Sequence, residues 1–160
     1  MHKQLLKYIV ITTIIIVVFA FILNYSKIQT QKKREELDVN FQECCTYVRN
    51  NERAFVGFSN YAFSLLDDDH QTIDLNQNQV WKNHKDGIMV RERFGYIMWA
   101  DLESKTAHYI GRLGPGRYRV EVVYSKSCSL SLADEYLAER YCIINDDLYL
   151  NYFEDISGRN

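Results

Sequence analysis

One proline and seven glycines in 160 residues leave no Pro/Gly-rich linker along which the chain could be divided into several soluble domains. Neither sign of charge is in excess. Lys and Arg total 19 against 21 Asp and Glu, a formal charge of −2, which excludes a nucleic-acid binder held by phosphate contacts. The sequence contains no C-x-x-C, no H-E-x-x-H and no G-x-S-x-G, so paired-cysteine metal sites, thioredoxin-like redox chemistry, zinc peptidases and nucleophile elbows have no signature. The reading is a protein that is not an enzyme and uses no metal or cofactor.

What is present is apolar and aromatic. Hydrophobic residues make up 47% and aromatics 14%, with twelve Tyr and eight Phe, a composition that folds and leans toward β-structure. Tyr8 to Ser26 reads YIVITTIIIVVFAFILNYS without a charge, and its strongly apolar part runs from Ile9 to Leu23. At ~1.5 Å per residue this reaches across a ~30 Å hydrocarbon core, and Tyr8 and Tyr25 stand where interfacial aromatics belong. A cleaved signal peptide is the competing reading, but Phe-Ala-Phe-Ile-Leu-Asn-Tyr-Ser offers no small-x-small cleavage site. The expected organisation is a cytoplasmic tail at 1–7, a transmembrane helix at 8–25, a juxtamembrane helix at 26–52 and a periplasmic α+β domain at 53–160 that packs with part of 31–52.

The flanking charges oppose that orientation. Lys3 and Lys7 precede the span, whereas Lys27, Lys32, Lys33 and Arg34 follow it, and a positive-inside count favours a cytoplasmic C-terminus. Glu35 and Glu36 make the second cluster the start of a charged helix, and four cysteines suit an oxidising compartment. The C-terminus is therefore placed outside the inner membrane.

Beyond the span, Leu37, Phe41, Cys44 and Val48 lie at i, i+4, i+7 and i+11, one stripe of a helix over 31–51. From Arg53 onward the period reads as two. Tyr118, Val120, Val122 and Tyr124 alternate with Arg117, Arg119 and Glu121 after the turn Gly114-Pro115-Gly116, and Lys105 to Leu113 is the hairpin partner. Ile88 to Trp99 reads as a third strand. Ala54 to Leu66 and Gln71 to Val80 supply one or two more around Asp67-Asp68-Asp69, and Cys142 to Phe153 closes the sheet. Leu130, Ala133, Leu137 and Tyr141 are spaced as a short helix, with Ser131 and Asp134 as its capping pair. The predicted fold is α+β, a curved antiparallel sheet after the N-terminal helices, with closure into a barrel left open.

Cys128 and Cys142 bracket that short helix, and a bridge across their loop of about 15 residues contributes ~3 kcal/mol on the loop-entropy model. Adjacent Cys44 and Cys45 point ~100° apart on a helix and do not suit a mutual bond. Four cysteines allow three connectivities, which spacing does not resolve. Among the histidines, His70 follows three aspartates, His84 sits between Lys82 and Lys85, and His108 alternates along a strand with Thr106 and Ile110. These three are the pH-sensing candidates, because histidine titrates between pH 5 and 8. The acidic run lacks the alternating ligands and central glycine of a calcium loop. Tyr96, Trp99, Tyr118 and Tyr124 are the candidates for an apolar pocket or a partner interface.

The layout as a whole carries a resemblance: a short basic start at Met1-His-Lys, one anchor at Ile9 to Leu23, and a cysteine-containing β-rich domain of the remaining length. It resembles the small single-span accessory proteins that partner ToxR-like membrane transcription factors, the PsaF/MyfF type, with ToxS and VtrC as looser parallels. The resemblance implies a periplasmic domain that binds and protects the periplasmic domain of a single-span winged-helix regulator, in virulence and fimbrial gene control, and reads acidity or a small apolar ligand such as a bile salt. It implies no direct contact with nucleic acid. Two other architectures fit the layout. A pilin-like subunit has a hydrophobic N-terminal helix, a sheet and a C-terminal cysteine loop, but a Gly-Phe processing site and an early glutamate are missing here. A membrane-anchored lipocalin-like carrier acting alone is the other.

Overall fold

The computed structural model describes residues 2–69, 71–114, 118–126 and 141–154, with side chains from residue 10 onward. Two units divide the chain, Met1–Val39 and Asn40–Asn160. The helical assignment α1 (His2–Asn50) covers the first and enters the second. In the first unit the large apolar side chains from Val10 to Leu23 are between 50 and 72% exposed. A window of mean hydropathy 2.0 makes this helix long and apolar enough to cross a membrane, which is compatible with a single-pass anchor.

In the second unit the predicted stripe of α1 is buried at Phe41, Cys44 and Val48, together with Cys45. The next two segments depart from expectation. Glu52–Ser64 is a helix, α2, and Lys85–Phe94 is a helix, α3, where strands were expected. Phe55, Phe58, Ser59 and Ala62 are the buried side of α2, and Gly87, Val90 and Phe94 that of α3, both at spacings of three and four. Runs this rich in apolar residues satisfy either period, and the helical one wins because it turns one stripe toward the sheet. His84 starts α3 as its N-cap, accepting from the Asp86 backbone N–H at 3.3 Å, and Gly95 ends it before the apolar run resumes as a strand.

The strands are β1 (Thr72–Asp74), β2 (Ile97–Asp101), β3 (Thr106–Arg112), β4 (Tyr118–Ser125), β5 (Tyr141–Ile143) and β6 (Leu148–Glu154). They form one antiparallel sheet in the order β1-β2-β3-β4-β6-β5. The sheet is open, with β1 and β5 at its edges, so closure into a barrel does not occur. Two expected strands are shorter than predicted. Asp74 Oδ1 accepts from the backbone N–H groups of Asn76 and Gln77 at 2.8 and 2.7 Å, an Asx turn that ends β1 and leads to a 3-10 turn at Val80–Asn83. Asn145 Oδ1 accepts from Asp147 N–H at 2.8 Å and breaks the C-terminal run into the hairpin β5–β6. The expected short helix over 130–141 lies outside the described residues up to its last position. Tyr141 itself opens β5.

Register assigns the faces. Met98, Tyr109, Val122 and Leu150 are mutual partners on one face, and this is the face to which the helices pack. Phe55 and Phe58 of α2 lie 5.8 and 5.9 Å from the Tyr109 ring, Phe94 of α3 lies 5.5 Å from Phe55, and Phe41 of α1 lies 5.0 Å from Tyr152. The Tyr109 hydroxyl and Ser59 Oγ share a 2.6 Å hydrogen bond, and both residues are fully buried. A Cβ at Gly111 would meet the carbonyl oxygen of Arg93 at 2.7 Å, so glycine lets α3 rest directly on β3. Removing one half of the Ser59–Tyr109 pair leaves the other buried without it. Tyr109→Phe should destabilise the protein by ~1–3 kcal/mol. The double variant Tyr109→Phe/Ser59→Ala should be less destabilised than the two single effects added together. Thermal unfolding of the detergent-solubilised chain reads this, and strictly additive effects would refute the coupling.

Candidate functional site: the face of the sheet opposite the helices

The second face carries Trp99 on β2, Thr106, His108 and Ile110 on β3, Glu121 and Val123 on β4, and Asn151 on β6. The helix contacts described above are all on the other side. Trp99 and His108 are register partners, and their rings stack with centroids 4.3 Å apart and planes 4° from parallel. His108 Nδ1 lies 2.9 Å from Glu121 Oε1 and its Nε2 lies 3.0 Å from Thr106 Oγ1. Asn151 Nδ2 donates to the other Glu121 oxygen at 3.2 Å. Beyond Thr106 the chain of bonds continues through Ser104 Oγ at 2.7 Å, which donates to Asp101 Oδ1 at 2.8 Å. Six polar side chains thus run in a line from β6 to the end of β2.

The protons in this line can be counted. Ser104 has one hydroxyl hydrogen and gives it to Asp101, so toward Thr106 it accepts. Thr106 gives its hydrogen to Ser104 and therefore accepts from His108 Nε2–H. At the other ring nitrogen, an ionised Glu121 accepts from Nδ1–H. With both carboxylates ionised, the line is complete end to end only when His108 carries hydrogen on both nitrogens. A neutral imidazole opens one link. The order Glu121–His108–Thr106 is that of an acid–base–hydroxyl relay, in which the Thr106 hydrogen goes to Ser104 when both ring nitrogens carry hydrogen and to His108 Nε2 when that nitrogen is bare.

Just before β2, at the end of that strand away from Asp101, Tyr96 is 46% exposed, and the guanidinium groups of Arg119 and Arg112 lie 4.9 and 5.9 Å from its ring centre. Ile97 and Ile143 are 44 and 45% exposed, while Ile110 and Val123 are buried between their neighbours. The four aromatics expected to share one surface are divided. Tyr96 and Trp99 belong with this face. Tyr124 is buried on the opposite face, its ring 6.1 Å from Phe63, and half-buried Tyr118 shares that side by alternation. Burial, Asp147 and a bond from Asn60 act on the Tyr124 phenol, with a net rise above its ordinary value.

The three histidine candidates also separate. His108 is in the line just described. His84 is a helix cap whose ring stacks on Tyr61 at 5.0 Å, a structural use. His70 lies outside the described residues. Of the cysteines, Cys44, Cys45 and Cys142 are free thiols, and Cys128 lies outside the described residues. Burial pushes the Cys44 thiol up, partly opposed by Arg93, whose Nη2 lies 3.8 Å from the sulfur. Among the described residues no group of three or more His, Cys, Asp or Glu could hold a metal ion. A cleft of about 640 Å³ at the α1–α2 corner is lined by Arg49, Arg53, Lys85, Glu52 and Asp86 among others, a polar lining unsuited to an apolar ligand.

Sequence reasoning singled out His108 but missed Glu121, Ser104, Asp101 and Asn151. The signal was in the strand pattern. Once β3 and β4 pair, Glu121 is the diagonal neighbour of His108 on the same face. Compared with known proteins, the chain matches no family model, no curated protein and no solved structure.

Asp101 supplies a pH test of the line. The Ser104 backbone N–H and hydroxyl hold its carboxyl below the ordinary range. A depressed carboxylate contributes stability above its unfolded value and loses it as pH falls through the folded one, here below about pH 4. Ser104→Ala keeps the backbone bond and removes the hydroxyl one. The Asp101 titration followed by carbon NMR should move up toward, but not reach, the ordinary value. An unmoved titration would show that the hydroxyl bond does not form.

Proposed function

We propose that this protein is a non-catalytic, membrane-anchored accessory subunit. The face of the sheet that carries Trp99, His108 and Glu121 binds the periplasmic domain of a single-span winged-helix transcriptional regulator. The supporting observation is that face itself. It combines a stacked, partly exposed Trp99–His108 pair, an exposed Tyr96 with two arginines, and apolar ends, on the side of the sheet away from the helices. Aromatic and arginine side chains are the groups that anchor protein interfaces. The exposed apolar helix is the second support, because an anchor shared with a membrane-bound partner confines both to one surface and raises their effective concentration. In this reading the domain lies in the periplasm of a bacterial inner-membrane protein.

Binding only the folded partner stabilises it by mass action, by ~2.7 kcal/mol at a free concentration one hundred times the dissociation constant. That changes the abundance of a marginal partner several-fold under proteolysis. In this reading acidity acts through His108, whose ring bridges Glu121 and Thr106 in the middle of that face.

The test is co-expression with the product of the adjacent gene, followed by co-purification and partner abundance between pH 5.5 and 7.5. Wild type should raise partner abundance, by an amount that differs between the two ends of that pH range. Trp99→Ala should weaken co-purification at least tenfold, whereas Lys82→Ala, on the exposed 3-10 turn, should not. His108→Ala should remove the pH dependence. Unchanged partner abundance on deleting this protein would refute the accessory role. A pH-independent affinity would remove only the acid response.

A further inference from the structure

We propose that Cys45 and Cys142 form a reversible disulfide that staples the domain end of α1 to the edge hairpin β5–β6. The two cysteines are distant in sequence and adjacent in the fold. Cys45 is 1% exposed on the packed side of α1, and Cys142 is among the neighbours that act on its thiol. Arg49, one helical turn after Cys45, reaches the same sulfur, with Nη2 3.9 Å from Cys142 Sγ. Register places Cys142 opposite Leu150, hence on the side of the sheet that faces the helices. The neighbouring Cys44 is turned toward α3, where Arg93 lies against it, so it does not compete for Cys142. This pairing excludes the Cys128–Cys142 bridge expected from sequence spacing, because both need the same sulfur.

The chemistry is thiol–disulfide exchange with an external disulfide, carried by a protein oxidant or a small molecule. Cys142 is partly exposed and enters first. Its thiolate, having released a proton to solvent, attacks one sulfur of the oxidant; the other sulfur leaves as a thiolate and takes up a proton. The Cys45 thiolate, after losing its own proton, attacks the Cys142 sulfur of the mixed disulfide, and the oxidant departs as its second thiol. Two electrons and two protons pass from the pair to the oxidant. Burial, and then the adjacent Cys142 thiol, raise Cys45 above an ordinary cysteine, which makes the partly exposed Cys142 the thiol that reacts first.

The bond would close a loop that contains α2, α3 and β1 to β4. The same hairpin is already held to the start of α2 by Asn145 Nδ2, which donates to Glu52 Oε1 at 2.6 Å. Among the described residues β5 has only β6 as its strand partner in the reduced protein. In the oxidised protein it is joined covalently to the helix that leads to the anchor.

The test uses the full chain in detergent, treated with oxidised glutathione, alkylated, digested and mapped by mass spectrometry without reduction. The expected result is a joined peptide pair containing Cys45 and Cys142 that separates on reduction. Because Cys44 and Cys45 share a peptide, the mapping is repeated in Cys44→Ser, where the pair should persist, and in Cys45→Ser, where Cys142 should become fully alkylated. The oxidised wild type should melt about 10 °C above the reduced protein. A Cys128–Cys142 peptide pair, a pair lost in Cys44→Ser but kept in Cys45→Ser, or Cys45 and Cys142 both alkylated after oxidant treatment would overturn the proposal. The wild-type map alone decides against it if no joined pair contains Cys142.

Discussion

The domain is organised around the bond between the Tyr109 hydroxyl and Ser59. Tyr109 stands on one of the middle strands, and its phenol reaches the layer of helices, where the hydroxyl has no water to turn to. A buried hydroxyl without a partner costs more than most single packing contacts supply, so the bond specifies where along the sheet α2 must lie. The other packing follows from that placement. Phe55 and Phe58 settle against the Tyr109 ring, Phe94 settles against Phe55, and α3 comes close enough that a Cβ at Gly111 would meet the Arg93 carbonyl oxygen at 2.7 Å and one at Gly87 the Phe58 ring at 2.8 Å. Every described helix is drawn to one side, and on the opposite face the described side chains include the polar line through His108.

How much of this was legible in the sequence varied with the kind of signal. The β3–β4 hairpin was readable because Tyr118 to Tyr124 alternates apolar and charged residues, a pattern that no helix would bury in one stripe. The apolar anchor was readable by length and composition alone. The helices α2 and α3 were not, because Phe55, Phe58, Tyr61 and Phe63, like Ile88, Met89 and Val90, are apolar at both periods. What separates the readings is tertiary: a stripe of Phe55, Phe58 and Ala62 is worth burying only when Tyr109 is there to receive it. The stop signals at Asp74 and Asn145 are polar residues that bond their own backbone, and each shortened a strand that hydrophobicity alone had extended.

The candidate site was half legible for a related reason. His108 could be placed on a strand face from Thr106 and Ile110, but its partners come from three other places in the chain. Glu121 and Asn151 are fixed by registers that only the folded sheet defines, and Ser104 and Asp101 by the tight turn before β3. The same holds for the cysteines. Spacing drew attention to Cys128 and Cys142 as neighbours in sequence, whereas the contact of Cys142 with Cys45 depends on which edge of the sheet meets the end of α1.

The two edge strands have a consequence for how another protein could join this one. As described, β1 and β5 are each three residues long, and every longer strand is paired on both sides. Along the described edges an added chain that extended the sheet would find only a few free backbone groups, a short template for strand addition. Brevity of that kind works against edge-to-edge self-association. It also means that association must draw on side chains rather than on the backbone, so specificity resides in residue identity on the faces and can change by substitution without altering the fold.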